Sequence, residues 1–253
     1  MKAIVFAAGL GTRLYPLTQD KPKALVEVAG KTMLEHTLVK LHRAGIREVV
    51  VNVHAFADKV DLWLGAWAVR FPEMDIQVSD ERDLLLETGG GLKKMRPCLE
   101  GDTFLVHNVD VLSDIHLAEL INADKTYASM AEVNQPHLAT LAVRQVESDR
   151  YFLFNKDGLL CGWENVKTGE QKLTGHLDEP LTRYAFTGIH VIHPCLFEAM
   201  TETGVFSITD VYLRLAATHA IHFFDVTANH WYDIGTPEQR RTAELAWLQQ
   251  LPR

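Results

Sequence analysis

The amino-terminal stretch constrains the fold more than any other part of this chain, because a short apolar run leads directly into a glycine-containing loop. Ala3 to Phe6 has the length and composition of a buried strand. Gly9 and Gly11 follow it and bracket a single residue. Glycine permits positive φ angles and lets a ligand approach the bare backbone, so successive N–H groups can face an anion. The stretch therefore predicts a strand that ends in an anion-binding loop.

Two cationic side chains near this loop favour a phosphate-bearing ligand. Arg13 carries a permanently charged, planar guanidinium that suits phosphate oxygens. Lys23 follows a proline, which restricts the backbone next to it. A simple glycine turn after a strand would account for the glycines but not for these two cations. We therefore interpret the stretch as a polyphosphate-binding loop.

Two common phosphate-binding motifs do not fit this loop. The dinucleotide motif G-x-G-x-x-G requires a glycine where this chain has Leu14. The P-loop pattern G-x-x-x-x-G-K-[ST] does not occur in the chain. The loop therefore matches neither motif.

The segments after the loop alternate between helix and strand patterns. Thr32 and Glu35 form a capping box at the start of a helix that ends at Gly45, and Glu48 to Val53 is a second apolar strand. Strand, loop, helix and strand in this order make a βαβ unit, which indicates a parallel sheet. Lys156-Asp157-Gly158 between two strand patterns predicts a β-hairpin. We predict an α/β fold with a Rossmann-like, mixed, mostly parallel sheet flanked by helices.

Charge and composition restrict the partners of the chain. A net charge of −8 argues against nucleic acid or an anionic membrane as a partner, because both select a basic face. No apolar run approaches the length of a membrane span, and the amino-terminal run is too short for a signal peptide. Cys98, Cys161 and Cys195 are widely spaced and form no C-x-x-C pattern, so they support neither a cysteine-based zinc site nor a disulfide framework. We predict a soluble, cytoplasmic protein with one domain over residues 1–253.

A second polar segment, Asn108 to Asp110, follows the predicted strand Phe104 to His107. In open α/β sheets, ligands bind at the carboxyl ends of the strands. An aspartate at that position is suited to Mg²⁺, which prefers carboxylate and phosphate oxygens. His190 and His193 lie on one predicted strand, where alternation puts their side chains on opposite faces, so this pair predicts no metal site.

The loop and the residues after it resemble the signature of the sugar-1-phosphate nucleotidyltransferases. The matching segments are Ala7-Ala8-Gly9-Leu10-Gly11-Thr12-Arg13-Leu14, Pro16-Leu17-Thr18, Pro22-Lys23 and Val28-Ala29-Gly30-Lys31. The resemblance implies that the loop binds a nucleoside triphosphate and that Arg13 and Lys23 contact its phosphates. It implies transfer of a nucleotidyl group to a sugar 1-phosphate, with Mg²⁺ as cofactor. Val109 departs from the glycine that the family usually has before its metal-binding aspartate.

The resemblance also implies a set of site residues. Catalytic roles fall to Arg13, Lys23 and Asp110. Nucleotide contacts fall to Ala7, Ala8, Gly9, Gly11, Thr12, Arg13, Lys23, Glu81, Thr88, Gly89 and Asn108. Sugar contacts fall to Glu164, Asn165, Thr187 and Gly188, and the metal ligands are Asp110 and Asp233, the latter within Trp231-Tyr232-Asp233-Ile234-Gly235-Thr236. We expect a nucleotide-binding part at 1–145, a small sugar-side lobe at 146–236 and a carboxy-terminal helix at 237–253.

The substrate prediction depends on a second glycine-rich stretch. Glu87-Thr88-Gly89-Gly90-Gly91 resembles the N-acetylmuramate-1-phosphate uridylyltransferase branch of the family. This favours UTP and an N-acetylmuramate-like sugar 1-phosphate as substrates, with guanylyl transfer to mannose or heptose phosphate as the alternative. A metal-dependent glycosyltransferase and a non-catalytic nucleotide-sugar sensor remain open from other classes. We expect a monomer or a small homo-oligomer.

Overall fold

Strands and helices alternate along most of the chain. The computed structural model describes residues 1–99, 101–174 and 180–250. The strands in these parts are β1 (Lys2–Phe6), β2 (Glu27–Val28), β3 (Lys31–Thr32), β4 (Glu48–Val53), β5 (Asp75–Asp80), β6 (Phe104–Asn108), β7 (Val111–Ser113), β8 (His137–Arg144), β9 (Arg150–Phe154), β10 (Leu160–Asn165), β11 (Glu170–Leu173), β12 (Thr182–Ile192), β13 (Ala220–Asp225) and β14 (Trp231–Asp233). The α-helices are α1 (Met33–Arg43), α2 (Ala57–Arg70), α3 (Glu87–Lys94), α4 (Arg96–Leu99), α5 (Leu117–Met130), α6 (Cys195–Ala199), α7 (Ile208–Leu215) and α8 (Pro237–Gln250).

Backbone contacts divide the chain into two compact units. Unit 1 comprises residues 1–85, 107–115 and 230–253, and unit 2 comprises residues 86–106 and 116–229. This grouping follows contacts in space, so each unit draws on several segments of the chain. One domain with parts at 1–145, 146–236 and 237–253 therefore stays a prediction. Residues 175–179 of the predicted lobe and 251–253 of the predicted terminal helix lie outside the described residues.

The main sheet of unit 1 is parallel. β1 pairs with β4 from Ala3 opposite Val49 to Phe6 opposite Asn52, and β4 pairs with β5 in the same sense. A parallel pair needs a crossover connection, and α1 supplies it between β1 and β4. The side chain of Thr32 caps α1 by accepting a hydrogen bond from the Glu35 amide at 3.1 Å. The predicted βαβ unit is confirmed.

Unit 2 has a largely antiparallel arrangement. β12 pairs antiparallel with β8 and with β9, and β9 continues antiparallel to β10 and β11. β13 joins β8 as a parallel neighbour. The predicted hairpin at residues 156–158 connects β9 and β10, with Gly158 at φ +81° in the turn. The predicted α/β class with a mixed, mostly parallel sheet is confirmed, and most of the antiparallel pairs lie in unit 2.

Apolar burial follows the strands of both units. Ile4 and Val51 in unit 1, and Leu141 and Val191 in unit 2, have no exposed surface. Burial of such side chains contributes about 1.5–3 kcal/mol each to folding. None of the described helices is long and apolar enough to cross a membrane.

Candidate active site

The loop after β1 leaves a row of backbone amides available. Asn52, buried in β4, accepts hydrogen bonds from the amides of Ala7 and Ala8 at 2.6 and 3.2 Å. From Gly9 to Arg13, no amide donates a hydrogen bond to any described residue. Unpaired amides in a glycine loop form an anion-binding concavity. Asn52 thus holds the base of the loop while the following amides remain free for an anionic ligand.

Gly11 is required by both its conformation and its surroundings. Its φ is +64°, in the left-handed region that favours glycine. A Cβ built there would lie 3.1 Å from the Cβ of Lys23 and 3.1 Å from a methyl carbon of Thr18. The Thr18 hydroxyl donates to the Gly11 carbonyl at 2.9 Å. The loop therefore lies directly against Lys23.

Lys23 is a buried cation joined to a carboxylate. It starts a short 3₁₀ turn, Lys23–Leu25, directly after Pro22. Its Nζ forms an ion pair with Oδ2 of Asp110, which lies two residues beyond the end of β6. The Val109 amide donates to the Phe6 carbonyl at 3.1 Å, so the ends of β1 and β6 meet here. The structure thus brings together the predicted catalytic residues Lys23 and Asp110.

Asp233 lies beside Asp110. It belongs to β14, which pairs antiparallel with β7 and places Asp233 opposite Val111. The Ile234 amide donates to the Asp110 carbonyl at 2.8 Å. Burial raises the pKa of Asp233, and the negative charge of Asp110 raises it further, while Lys23 and Arg13 lower it. Two carboxylates and two cations therefore form one electrostatic group.

Because residue 235 is a glycine, the Arg13 guanidinium can lie close to the Asp233 carboxylate. A Cβ at position 235 would lie 3.0 Å from Oδ2 of Asp233 and 3.1 Å from Nη2 of Arg13. Arg13 is exposed and forms no ion pair with the described residues. Its guanidinium is therefore free to contact a phosphate while it remains next to Asp233.

The donors at this position fit a magnesium ion. Asp110 and Asp233 present carboxylate oxygens, which are the ligands Mg²⁺ takes together with phosphate oxygens. The raised pKa of Asp233 reflects burial and a second negative charge nearby, and a bound cation would relieve this repulsion. Both residues were predicted as metal ligands from the sequence, and the structure brings them together.

Glu81 is buried beneath the loop. Only 1% of its surface is exposed, and its Oε1 accepts a hydrogen bond from Nδ2 of Asn52 at 2.8 Å. Its carbonyl lies 2.6 Å from Nδ1 of His54. In this arrangement Glu81 orients Asn52, which in turn holds Ala7 and Ala8. Sequence reasoning missed Asn52, although an asparagine within the apolar run of β4 was a usable signal, because a buried amide needs partners.

Asn108, another predicted nucleotide contact, lies in unit 1 as the last residue of β6. Its carbonyl lies 2.8 Å from Nδ1 of His107. Asn108 lies two residues before Asp110 in the chain.

Thr88 and Gly89 lie in α3 of unit 2, where Thr88 contacts the first residue of α7 and Gly89 contacts the segment before it. The Thr88 hydroxyl accepts a hydrogen bond from the Ile208 amide at 3.0 Å, and the Gly89 amide donates to the Phe206 carbonyl at 2.9 Å. A Cβ at Gly89 would lie 2.4 Å from the Phe206 ring. The glycines therefore allow close packing of α3, and their role in nucleotide binding stays a prediction.

The four residues predicted to contact the sugar lie in unit 2. Glu164 is buried, and its Oε2 lies 3.1 Å from a guanidinium nitrogen of Arg183. The side-chain oxygen of Asn165 accepts a hydrogen bond from the Lys167 amide at 3.0 Å in a local turn. The remaining two form a bulge in β12: the Thr187 hydroxyl donates to the Ala142 carbonyl at 2.7 Å, and Gly188 has a φ of +80°.

A second group of metal-ligand types occurs in unit 2. Asp124, His137 and His193 place their ligand atoms within 4.8 Å of one another, whereas His190 packs its ring against Phe186. Residue order along the chain gives no indication of this group, because its members come from separate elements.

Comparison with known proteins identifies the family. Residues 2–160 match the model of the nucleotidyl transferase family. The N-acetylmuramate alpha-1-phosphate uridylyltransferase of Neisseria meningitidis serogroup B is 38% identical over 98% of this chain and 100% of its own length. The enzyme of the same name from Caulobacter vibrioides is 32% identical over 96% and 95%. A protein of Oryza sativa subsp. japonica named "Probable mannose-1-phosphate guanylyltransferase 1" is 28% identical over 99% of this chain and 66% of its own length.

Solved structures show the same fold. The UDP-glucose pyrophosphorylase from Acinetobacter baumanii superposes with a TM-score of 0.78 at 17% identity, covering 100% of this chain and 94% of that one. The inositol-1-phosphate CTP transferase from T. maritima gives a TM-score of 0.69 at 17% identity, over 98% and 96%. Together with the loop amides and the charge group around Lys23, the matches lead to one conclusion. This chain belongs to the nucleotidyl transferase family and is a sugar-1-phosphate nucleotidyltransferase.

Proposed function

We propose that this enzyme transfers a uridylyl group from UTP to an N-acetylmuramate-like sugar 1-phosphate. The observation that carries the proposal is the group of Arg13, Lys23, Asp110 and Asp233 beside the free amides of the loop. Such a group suits a reaction that needs alignment and charge neutralisation instead of a covalent intermediate. The choice of UTP and of the sugar rests on the two relatives of matching length that carry this name.

In the proposed reaction, an oxygen of the sugar phosphate attacks the α-phosphorus of UTP. The bond between that phosphorus and the oxygen bridging to the β-phosphate breaks, and pyrophosphate leaves with the bonding electrons. Lys23 lies between the loop and Asp110, so its ammonium offsets the repulsion between the two reacting phosphates. The amides of residues 9–13 and the guanidinium of Arg13 neutralise the charge that grows on pyrophosphate.

We propose that Mg²⁺ is held by Asp110 and Asp233. When bound, it would offset phosphate charge and orient the phosphate oxygens. Without the ion, the Lys23 ammonium and Arg13 guanidinium are the positive charges that face these carboxylates. The nucleotide contacts proposed for Glu81, Thr88, Gly89 and Asn108, and the sugar contacts proposed for Glu164, Asn165, Thr187 and Gly188, complete the assignment.

A pyrophosphate-release panel tests the proposal. The purified chain is assayed with UTP, GTP, CTP and dTTP, each against N-acetylmuramate 1-phosphate, mannose 1-phosphate and glucose 1-phosphate, with MgCl₂ and with EDTA. We expect release with UTP and N-acetylmuramate 1-phosphate, and loss of release with EDTA. Preference for GTP and mannose 1-phosphate would replace the uridylyl proposal with the guanylyl alternative.

The same panel distinguishes the proposed enzyme from a glycosyltransferase and from a nucleotide-sugar sensor. A glycosyltransferase would release a nucleotide from a nucleotide sugar and would release no pyrophosphate from a triphosphate. A nucleotide-sugar sensor would bind without turnover. Free loop amides and an Arg13 without an ion pair to the described residues favour a triphosphate over a nucleotide sugar, because a triphosphate brings an additional terminal phosphate and more negative charge for these groups to neutralise. We propose further that the enzyme is cytoplasmic and works as a monomer or small homo-oligomer.

A further inference from the structure

Three side chains in unit 2, none of them assigned to substrate above, converge as a two-histidine, one-carboxylate group. Asp124 lies in α5, His137 begins β8, and His193 follows β12. Oδ1 of Asp124 lies 2.8 Å from Nε2 of His137, and Oδ2 lies 3.2 Å from Nε2 of His193. Ligand atoms of one tetrahedral zinc ion, bound at about 2.0–2.1 Å, lie roughly 3.3 Å apart. Each histidine nitrogen therefore lies at about this spacing from a carboxylate oxygen, and one ligand atom from each of the three residues can be chosen so that all lie within 4.8 Å of one another.

We propose that Asp124, His137 and His193 bind one Zn²⁺ ion. Two imidazoles with one carboxylate select zinc over magnesium, which prefers oxygen ligands and water. The side chains of Asp124 and His137 are 2% and 1% exposed, whereas that of His193 is 23% exposed, so an ion can enter past His193. Water would take the remaining coordination position on that side.

Neighbouring groups hold the ligands in place. The Thr140 hydroxyl donates to Oδ1 of Asp124 at 2.9 Å. Nδ1 of His137 lies 3.2 Å from Nδ1 of His222, and the His222 ring stacks on Tyr127 with centroids 4.1 Å apart. A histidine that binds a metal through one ring nitrogen commonly donates a hydrogen bond from the other ring nitrogen. When the Nδ1–H group of His137 donates a hydrogen bond to Nδ1 of His222, Nε2 of His137 carries the lone pair that a metal ion needs.

The rival interpretation is a buried carboxylate that is satisfied by hydrogen bonds alone. Thr140, His137 and His193 would then all donate to Asp124, and no ion would be needed. The two interpretations differ in one measurable property, the affinity of the chain for zinc. Because the three ligands come from separate segments of the chain, a bound ion would also stabilise unit 2 against unfolding.

The test is calorimetric titration of the full chain, stripped of metal, with ZnCl₂ in excess MgCl₂. We expect one zinc ion per chain. His193→Ala should weaken binding at least about 100-fold, and His222→Ala roughly 10- to 100-fold. His116→Ala, an exposed histidine outside the group, and Asp110→Asn, at the proposed magnesium site, should leave zinc affinity unchanged.

Two further measurements do not depend on any variant. CoCl₂ in place of zinc should give the visible absorption of four-coordinate cobalt, and ZnCl₂ at about 100 times Kd should raise the Tm by about 5–10 °C. Circular dichroism verifies that each variant is folded. Absence of zinc binding by the wild type, or equal affinity in His193→Ala, would overturn the proposal in favour of the hydrogen-bonded carboxylate.

Discussion

At the scale of single residues, the site depends on side chains that hold other groups in position. Lys23 is 8% exposed and is paired with Asp110, so its ammonium has one location instead of many rotamers. Asn52 holds the first two amides of the loop and is itself held by Glu81. Preorganisation of this kind lowers the reorganisation needed when charge develops in the reaction.

Replacement of Lys23 tests its role at the reacting phosphates. Lys23→Met removes the charge but keeps most of the side-chain volume, and we expect a barrier increase of about 2–4 kcal/mol, roughly 30- to 1,000-fold in kcat. Steady-state kinetics of pyrophosphate release measures this loss. Lys125→Met, at an exposed lysine of α5, is the matched control. Turnover of Lys23→Met within a few-fold of wild type would rule out the assignment.

Replacement of Asn52 tests its role in shaping the loop. Asn52→Ala leaves the amides of Ala7 and Ala8 without their acceptor, so the loop loses its fixed base. We expect the KM for the triphosphate to rise roughly 5- to 30-fold, equivalent to about 1–2 kcal/mol, with a smaller change in kcat. Initial rates at varied UTP measure both constants, with exposed Asn134→Ala as control. An unchanged KM would show that the loop needs no support from Asn52.

At the scale of elements, glycines let α3 approach the segment before α7. The amides of Gly89 and Gly90 both donate to the Phe206 carbonyl, at 2.9 and 3.2 Å. A Cβ at Gly90 would lie 2.4 Å from the Gly204 carbonyl oxygen, which is backbone and cannot rotate away. The family resemblance implied nucleotide contacts for Thr88 and Gly89, which stay a prediction, and the structure gives Gly89 and Gly90 a packing role.

Gly90→Ala should therefore destabilise unit 2 by about 1–3 kcal/mol, the usual cost of overpacking. Gly65→Ala provides the contrast, because Gly65 lies inside α2 with nothing within 4 Å of its Cβ position. That replacement should be neutral or stabilise by up to about 1 kcal/mol. Urea unfolding of both variants measures the difference. Equal stability of the two would mean that α3 tolerates a side chain at position 90.

At the scale of the whole molecule, each unit buries a neutral histidine. Burial lowers the pKa of His107 to about 3, with a further contribution from the charge of Lys40. Burial likewise lowers the pKa of His190 to about 3. An unfolded histidine titrates near 6.5, so between pH 3 and 6.5 the unfolded chain binds more protons than the folded one. The free energy of unfolding should therefore fall as pH decreases through this range.

Urea unfolding between pH 4.5 and 7.5 measures this dependence. Each buried histidine adds up to about 1.4 kcal/mol per pH unit to the slope. His190→Leu should make the curve flatter by about that amount, whereas His116→Leu, at an exposed histidine, should leave the slope as in wild type. If His190→Leu left the slope unchanged, the pKa of His190 would be the same in the folded and the unfolded chain.

Local sequence patterns determined much of the fold and of the candidate site. The strand before the glycine loop, the capping box of α1 and the hairpin at residues 156–158 depend on neighbouring residues, so they could be predicted from the sequence. The same holds for the loop itself, because positive φ at Gly11 is a property of that residue. The chemical types of Arg13, Lys23 and Asp110 also indicated phosphate and metal, and the family resemblance added Asp233 as the second metal ligand.

Tertiary structure alone decided which of these groups meet. Lys23 and Asp110 are 87 residues apart, and Asn52 is 45 residues from Ala7, so their contacts depend on how strands pair. Asp124, His137 and His193 illustrate the same point, since residues on separate elements carry no common spacing. The physical reason is that spacing in sequence encodes local geometry, whereas charge pairing, burial and pKa shifts arise from neighbours that only the folded chain supplies.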